Sequence, residues 1–229
     1  MKENDSISVF QGKRYCELPV DLHSNERLKK MFIELNREKR GRILDLGCLQ
    51  GEFSLELKNK GWNVFGADIS PALLKAKEKG IKCIKFDFEK RFPFKDNFFD
   101  AVFAGEVIEH IFDTDFFVSE INRILRPGGF LLISTPNTAC LPNRLLLLAG
   151  KKPFNLDYFK SGGHIRAYTF SLLEKQLKEN GFAVEKRFSE LLRLSDKLEF
   201  PLLYKIESIL ADFFPTLSLS IIIKARKKK

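Results

Sequence analysis

The chain has 229 residues, of which 44% are hydrophobic and 30% are charged, and its formal net charge is +9. These values are typical of a globular domain with a sizeable core and exclude a disordered or collagen-like chain. No apolar run approaches the ~18–20 residues of a membrane-spanning helix, and the N-terminus lacks the apolar segment of a secretory signal, so we expect a cytoplasmic location.

Neither the basic charge nor the cysteines identify a partner. Five of the six residues at positions 224–229 are Lys or Arg, and such a run most often forms a solvated tail. The excess charge therefore does not by itself predict nucleic-acid binding. The four cysteines form no C-x-x-C pair, so the spacing favours buried free thiols over a zinc site or a disulfide framework.

Helix and strand patterns alternate from about residue 24. Ser24 is placed to cap a first helix, and short apolar strands separated by helices follow, with a break at Pro127-Gly128 before the fifth strand. This alternation predicts a parallel sheet with helices on both faces. The five predicted strands are Arg42–Leu46, Trp62–Asp68, Ile81–Asp87, Phe99–Gly105 and Phe130–Asn137.

The pattern is lost between Thr138 and Ile165. A loop this long is unusual in a compact domain unless it is functional, so we predict a lid or substrate-binding insertion over residues 138–165. A helix, a strand at Phe182–Glu190, a helical segment around Lys197–Phe214 and a strand at Leu217–Ala225 complete the chain. The predicted organisation is one domain over residues 1–229, with an N-terminal helical cap over residues 1–40, the lid, and a basic tail over residues 224–229.

The most informative segment is ILDLGCLQGEF, at residues 43–53. A strand there enters a glycine-containing turn that opens a helix, so backbone N–H groups face whatever binds. Gly47 and Gly51 let the backbone approach a ligand closely. Asp68 ends the next strand, where a carboxylate can accept from both hydroxyls of a ribose, and Asp87 ends the third strand, where it can accept from an exocyclic amine. These features predict a nucleoside site at the carboxyl edge of the sheet.

The glycine spacing favours an adenosine that carries no phosphates. A NAD-type site uses G-x-G-x-x-G to hold a pyrophosphate, whereas the spacing here is G-x-x-x-G, and no Lys-Ser/Thr follows to make a P-loop. S-adenosylmethionine fits this description. Its methionine end carries an amine and a carboxylate, and its sulfonium is positive.

Six segments carry a resemblance to a known family: LDLGCLQG, FGADIS, FDFE, PFKDNFFDAVFAGEVIEH, ILRPGGFLLISTPN and HIRAYTFSLLEKQLKENGF. In this order and spacing, across about residues 42–185, they resemble the class I S-adenosylmethionine-dependent methyltransferases, especially the group that holds the ubiquinone-biosynthesis O-methyltransferases. The resemblance implies a doubly wound α/β, Rossmann-like sheet of seven strands, mostly parallel with an antiparallel C-terminal strand hairpin. It also implies methyl transfer with S-adenosylmethionine as cofactor. One departure is Leu49, which replaces the middle glycine of the family's D-x-G-x-G-x-G turn and narrows the methionine end.

The resemblance implies cofactor contacts along the same sheet edge. The residues that would contact the cofactor are Asp45 and Gly47 at the methionine amine, Asp68 at the ribose, Ile69, Asp87 and Phe88 at the adenine, and Ala104 and Gly105 at the methionine end. Gly51 would contact the cofactor from the glycine turn. Each acidic residue alone could instead be a strand-end turn residue or a helix cap. The whole series in register favours the cofactor site.

Two histidines are the predicted catalytic residues. A methyl transfer depends mainly on alignment and exclusion of water, but a hydroxyl acceptor also calls for a general base. His110 follows the fourth strand, and His164 follows the predicted lid, just before Arg166 and Tyr168, which are predicted to bind the substrate. The alternatives are that His110 bonds to backbone at a helix start and that His164 anchors the lid.

No metal is predicted, because Glu106 and Glu109 with His110 resemble metal ligands only loosely. The predicted acceptor is a small molecule or a lipid, methylated at oxygen. The N/D-P-P-Y/F motif of enzymes that methylate base amines is replaced by AGEVIEH, and no RNA-binding module is visible, so nucleic acid is a disfavoured partner.

The predicted lid mixes apolar residues with lysines, which suits an apolar acceptor with a carboxylate or phosphate, or a lipid-linked substrate reached by peripheral contact with an anionic membrane. Two alternatives stay open. One is methylation of RNA or protein through the basic C-terminal third. The other is a catalytically inactive partner subunit, an alternative supported by Leu49 in place of the middle glycine of the turn. The sequence does not indicate an oligomeric state.

Overall fold

Seven strands form one mixed sheet in the order β3-β2-β1-β4-β5-β7-β6. The computed structural model describes residues 25–156, 163–191 and 201–229. The strands are β1 (Arg42–Leu46), β2 (Asn63–Asp68), β3 (Lys82–Lys85), β4 (Phe99–Gly105), β5 (Leu125–Pro136), β6 (Phe182–Phe188) and β7 (Ser220–Lys227).

Helices cover both faces of this sheet. They are α1 (Glu26–Leu35), α2 (Glu52–Asn59), α3 (Leu73–Glu78), α4 (Thr114–Ile124), α5 (Leu141–Leu148), α6 (Phe170–Glu179) and α7 (Pro201–Phe213), with short 3-10 turns at Ile108–His110 and Pro215–Leu217. None of the helices that the structure describes is long and apolar enough to cross a membrane.

The sheet is parallel from β3 to β5 and antiparallel at its other end. Strand β1 pairs in parallel with β2 and β4, placing Leu44 opposite both Phe65 and Val102, while β7 runs antiparallel to β5 and β6. The predicted fold, including the antiparallel C-terminal hairpin, is confirmed. Because β1 and β4 are central strands covered on both faces, they are buried along most of their length rather than at alternate residues.

Two hydrophobic cores lie on opposite faces of the sheet. One contains apolar residues of α4 and α6, and the other contains those of α1 and α2. In α1, Leu28, Met31 and Leu35 recur at helical spacing and are buried, which is why this segment forms a helix against the sheet. The residue that caps α1 is Asn25 rather than Ser24. The Asn25 Oδ1 accepts from the backbone N–H of Leu28 at 3.0 Å, whereas Ser24 lies outside the described residues.

The fifth strand begins earlier than predicted. It starts at Leu125, which pairs with Phe99, and the register shifts before Phe130 pairs with Ala101. The predicted break at Pro127-Gly128 is therefore a bulge inside β5, where Gly128 adopts a φ of 75°. The turn-forming residues Pro127 and Gly128 made the strand appear to begin at Phe130, but β5 pairs with β4 on both sides of the bulge.

The segment predicted as a lid contains helix α5. Its sequence, LPNRLLLL, lacks the pattern of apolar and polar positions at helical spacing, so periodicity did not predict a helix. Asn143 on this helix is buried and holds the return of the chain, because its side chain contacts Thr138, Phe154 and Asn155. Residues 157–162 of the predicted lid lie outside the described residues, as does most of the predicted N-terminal cap.

The predicted basic tail is wrong for residues 224–227, which belong to β7 between two other strands. Lys224 is buried, with its Nζ 3.2 Å from Glu34 Oε1 and in contact with Glu38. Arg226 pairs with Glu38 and Glu185. These carboxylates are far from residues 224–229 in the sequence. The basic run therefore resembled a solvated tail when its own segment alone was considered.

The described cysteines are free thiols, as predicted. Cys48 and Cys140 are buried and Cys83 is half-buried, while Cys16 lies outside the described residues.

Candidate cofactor and acceptor site

A cavity of about 380 Å³ opens at the carboxyl edge of the parallel strands. Its volume is in the range of small-molecule sites. The loops after β1, β2 and β4 supply most of its lining, the 3-10 turn at Ile108–His110 borders one end, and α1 contributes Arg27 and Leu28. Ligand sites lie at this edge in open α/β folds because the loops that follow parallel strands converge there.

The loop after β1 is held in a tight turn. The backbone N–H of Gly47 donates to Ala67 O at 2.8 Å, and Gly47 has a φ of 77°. A Cβ at Gly47 would lie 2.8 Å from Val107 Cγ2, so glycine is needed both for the backbone conformation and for space. Leu49 follows with a φ of 47°, a conformation that a leucine rarely adopts. Its side chain borders the cavity.

Asp68 fixes this loop from the neighbouring strand. Its Oδ2 accepts from the backbone N–H of Leu49 at 2.9 Å, and its Oδ1 accepts from that of Ser70 at 2.7 Å. Burial raises the pKa of Asp68, although these backbone donors oppose that shift. Each carboxylate oxygen has a second lone pair, so Asp68 can hold the loop and still accept from a ligand hydroxyl.

Asp45 lies deeper, at the end of β1. Ser54 Oγ of α2 donates to its Oδ2 at 2.5 Å. Burial raises the pKa of Asp45 to about 7, and the negative charges of Asp68 and Glu52 act in the same direction. A cationic group entering the cavity would favour the ionised carboxylate.

Arg27 supplies a positive charge on the α1 side of the cavity. It donates to Ser134 Oγ at 2.8 Å, and its Nε lies 3.6 Å from Glu106 Oε1. Its Nη1 lies 3.2 Å from the position that a Cβ on Gly105 would take, so the guanidinium approaches the backbone at the end of β4. The cavity therefore contains a cation as well as several carboxyl groups.

The two histidines meet at the other end of the cavity, with ring centroids 5.0 Å apart. His110 Nδ1 lies 3.0 Å from Gly163 O, and His164 Nδ1 lies 3.3 Å from Asn155 O. A carbonyl oxygen only accepts hydrogen bonds, so in the neutral rings these contacts place the proton on Nδ1 and leave the lone pair on Nε2.

Glu109 lies beside this pair and is almost fully buried, with 1% of its surface exposed. Its Oε2 accepts from Thr135 Oγ1 at 3.0 Å, whereas its Oε1 has no hydrogen-bond partner among the residues that the structure describes. Burial and the charge of Glu106 raise the pKa of Glu109 well above its ordinary value.

Glu109, His110 and His164 form a group whose candidate metal-ligand atoms all lie within 4.8 Å of one another. Two imidazoles and a carboxylate are a donor set that suits a divalent transition-metal ion. The contacts from each Nδ1 to a carbonyl are of the kind that orient histidine ligands. The prediction that the site holds no metal stays a prediction, and this group is the place to test it.

The cavity gathers most of the predicted site residues. Those that line it are Asp45, Gly47, Asp68, Ile69, Phe88, Gly105, His110 and His164. Three predicted cofactor residues are not part of the lining. Gly51 packs against α3, Asp87 accepts from the backbone N–H of Glu89, and Ala104 is buried in the core.

The structure places Arg166 and Tyr168 away from the histidines. Both line a separate groove next to α4 and α6. Tyr168 donates to Gln176 Oε1 at 2.9 Å, and the Arg166 guanidinium lies 5.3 Å from the ring centre of Phe112. The geometry thus gives no support to their predicted role as substrate-binding residues.

Several cavity residues were not assigned a role from the sequence. Phe53 and Phe103 stack with ring centroids 4.2 Å apart at the wall of the cavity, and Arg27 lies in the first turn of α1. In the sequence, the two phenylalanines are indistinguishable from other core residues. The only signal for Arg27 is its position next to the apolar stripe that begins at Leu28.

Comparison with known proteins agrees with this geometry. Residues 44–133 match the family described as a methyltransferase domain. A ubiquinone biosynthesis O-methyltransferase of Sinorhizobium fredii is 29% identical over 154 residues, covering 64% of this chain and 61% of that protein. A demethylmenaquinone methyltransferase of Chlorobaculum tepidum is 31% identical over 136 residues, covering 58% of this chain and 53% of that protein. The matches thus span between half and two thirds of these relatives.

Solved structures share the fold across most of the chain. An S-adenosylmethionine-dependent methyltransferase from Mesorhizobium loti superposes with a TM-score of 0.65 at 19% identity, covering 90% of this chain and all of that one. The [4+2]-cyclase SpnF superposes with a TM-score of 0.62 at 20% identity, covering 91% of this chain and 84% of that one. The second likeness shows that this fold also occurs in a protein described by another reaction, so the fold alone does not define the chemistry.

Residues 44–133 thus match the methyltransferase domain family, and the chain as a whole shares the seven-stranded fold of a solved S-adenosylmethionine-dependent methyltransferase. The family and the cofactor predicted from the sequence are confirmed.

Proposed function

We propose that the protein transfers a methyl group from S-adenosylmethionine to the oxygen of a small-molecule or lipid-type acceptor. The observation that carries this proposal is the single cavity that joins the glycine loop and Asp68 to the histidine pair. One end of it has the groups a nucleoside needs, and the other has two imidazoles that can hold a proton.

At the cofactor end, the chain offers complementary charges. Asp68 would accept from the ribose, with Ile69 and Phe88 at the adenine. Asp45 would face the methionine amine, and Arg27 would attract the carboxylate, because it is a cation close to the backbone of Gly105. The carboxyl groups around the cavity also favour a positively charged sulfonium over a neutral thioether.

At the acceptor end, the residues hold the acceptor and its proton. Bound S-adenosylmethionine supplies an electrophilic methyl carbon on a sulfonium, a good leaving group. His110 or His164 would take the acceptor's hydroxyl proton on Nε2, since Nδ1 of each faces a carbonyl. A divalent ion on Glu109, His110 and His164 would do similar work by lowering the pKa of a bound hydroxyl.

The relatives support a small acceptor. One is named as an O-methyltransferase of ubiquinone biosynthesis and another as a demethylmenaquinone methyltransferase, and both names refer to quinone-type compounds. An apolar acceptor also fits the phenylalanines of the cavity wall. Action on RNA or protein, and an inactive partner role, are the competing hypotheses, and a cytoplasmic location with peripheral membrane contact stays a prediction.

Titration calorimetry with S-adenosylmethionine and S-adenosylhomocysteine tests the cofactor half of the proposal. We expect micromolar binding to the wild type and a loss of at least about tenfold in Asp68→Ala, because both the ribose contact and the anchor of the Leu49 amide are removed. Asp87→Ala is the matched control, since Asp87 does not line the cavity, and its affinity should change by less than about threefold.

Thermal unfolding of both variants shows whether they are folded. Absence of binding to the folded wild type would contradict the proposal and favour the inactive partner. Equal losses in the two variants would mean that adenine reaches Asp87, as the sequence predicted. RNA binding that weakens steeply with salt would favour the nucleic-acid alternative.

A further inference from the structure

The chain exposes several large apolar side chains on the segment that follows β5. Within α5, Leu145, Leu147 and Leu148 are 58%, 56% and 86% exposed, and Phe154, on the return of the chain, is 55% exposed. Large apolar side chains concentrated this closely on a surface commonly mark an interaction site. We refer to residues 144–154 as the α5 surface.

A buried polar anchor holds the α5 surface in place. Asn143 donates to Thr138 O at 3.0 Å and to Asn155 Oδ1 at 2.7 Å, and its own Oδ1 accepts from the Phe154 N–H at 2.9 Å. Lys151 N also donates to Leu146 O at 2.8 Å, which closes the end of the helix. The leucines therefore stay outside the core because a hydrogen-bonded framework fixes the base of the segment.

The charges of the α5 surface are all of one sign. Arg144, Lys151 and Lys152 are exposed among the leucines, and residues 138–156 contain neither Asp nor Glu. Exposed leucines flanked by lysines and arginines match the chemistry of an anionic bilayer surface, which takes apolar side chains below its headgroups and attracts cations at them.

A second apolar element adjoins the α5 surface. Arg144 Nη2 donates to Thr216 O at 3.3 Å, in the turn that follows α7. Just before that turn, Phe213 and Phe214 are 74% and 54% exposed. The turn that follows these two exposed phenylalanines therefore lies next to the start of α5.

We propose that the α5 surface docks the protein on an anionic lipid membrane. Its base borders the acceptor end of the cavity, because Asn155 O contacts His164 Nδ1. A docked molecule would hold its acceptor site next to the headgroup layer, within reach of an amphiphilic acceptor. Docking itself does not depend on methyl transfer, whereas the delivery of an acceptor rests on the proposed function.

Vesicle flotation with the full chain tests the docking. The probes are vesicles of phosphatidylcholine alone and of about three parts phosphatidylcholine to one part phosphatidylglycerol. We expect binding to the anionic vesicles that is at least about tenfold stronger than to the neutral ones and weakens with salt. Leu147→Glu with Leu148→Glu should reduce binding at least about tenfold, because two inserted side chains become anionic.

The matched control is Leu74→Glu, which changes an equally exposed leucine, 64% exposed on α3, outside the α5 surface. It should leave vesicle binding within about twofold of the wild type. Calorimetry with S-adenosylhomocysteine on every variant separates the docking proposal from the proposed methyl transfer. A wild type that binds S-adenosylhomocysteine but no vesicles would overturn the docking proposal alone. Equal losses in Leu74→Glu and the double variant would also overturn it, as would a wild-type dimer that the double variant abolishes without any vesicle binding.

Discussion

Leu49 occupies a backbone conformation, with a φ of 47°, that glycine adopts without strain. Replacing it with glycine releases about 1 kcal/mol of strain but adds a similar entropic cost in the unfolded chain. We therefore expect Leu49→Gly to change the free energy of unfolding by less than about 1 kcal/mol. The removed side chain borders the cavity, so calorimetry should show S-adenosylmethionine binding about threefold to tenfold more tightly.

Leu49→Ala separates the two effects. Alanine also clears the cavity but keeps a side chain at positive φ, so it should gain affinity like the glycine variant without the release of strain. Unchanged or weaker affinity in both variants would show that Leu49 is a fitted wall of the site and not an obstruction.

The raised pKa of Asp45 makes the stability of the protein depend on pH. Because burial lifts this pKa from 3.8 to about 7, the folded state favours the protonated carboxyl. The contribution of Asp45 to the free energy of unfolding is complete below about pH 4 and is lost as the pH rises through about 7. We expect the midpoint of thermal unfolding of the wild type to fall more between about pH 5 and pH 8 than that of Asp45→Asn.

Circular dichroism melts of the two proteins without ligand make this comparison. Burial also raises the pKa of Asp68 in the wild type, and both proteins retain this residue, so most of its contribution to the fall with pH is common to them. Parallel pH curves would show that Asp45 is already ionised at about pH 5 in the folded chain.

At the scale of elements, β7 shows how a charge run becomes part of a sheet. Lys224 is 6% exposed and contacts Glu34 and Glu38 of the α1 region. Burial of these two carboxyls opposes ionisation, but Lys224 and its basic neighbours outweigh it and lower both pKa values. The pairing fastens α1 to the far end of the chain and so positions Arg27, which lies on the same helix.

Lys224→Ala should destabilise the protein by about 2–4 kcal/mol, because it leaves partly buried carboxylates short of a cation. Denaturant unfolding measures this loss. Lys228→Ala removes an equal charge from an exposed position and should cost less than about 0.5 kcal/mol. Similar small effects in both variants would mean that Lys186 and Arg226 suffice for the carboxylates.

At the scale of the whole molecule, the acceptor end is assembled from distant parts of the chain. His110 follows β4, and His164 lies after the α5 surface, yet the rings approach to a centroid distance of 5.0 Å. The backbone N–H groups of Ile165 and Arg166 donate to Glu109 O at 2.9 and 3.1 Å, which ties the returning chain to the 3-10 turn. The predicted lid is therefore attached at its end to the predicted catalytic turn.

The sequence predicts a site without a metal, whereas this assembly of three candidate ligands leads us to expect that a divalent ion binds. After treatment with a chelator, we expect Zn²⁺ or Mn²⁺ to raise the midpoint of thermal unfolding of the wild type by several degrees, because only the folded state brings the three ligands together. His164→Ala should abolish the rise and keep the binding of S-adenosylhomocysteine.

His164→Asn and Cys140→Ser provide two further comparisons. The first keeps a polar side chain at the acceptor end without the imidazole. Cys140→Ser changes a buried cysteine that is not one of the three candidate ligands, so the metal should raise its midpoint of thermal unfolding as much as that of the wild type. No rise with either ion in the wild type would leave the histidines as proton acceptors alone.

The sequence was sufficient to predict the sheet, the glycine loop and the acidic strand ends, because these follow from periodicity and from local turn chemistry. It also placed Asp45, Gly47, Asp68 and Ile69 at one edge, since the carboxyl ends of parallel strands converge. It could not show that Asp87, Arg166 and Tyr168 lie outside the cavity, which depends on side-chain direction and on the path of the chain after α5.

The folded structure established the contacts between distant segments. It brought Arg27 into the cavity, joined His164 to His110 and Glu109, and paired Lys224 with carboxylates of the α1 region. No local pattern encodes such contacts, because the partners lie in segments that are far apart in the sequence. The physical reason is that burial and charge pairing belong to the folded arrangement, whereas helix and strand periodicity belong to the segment itself.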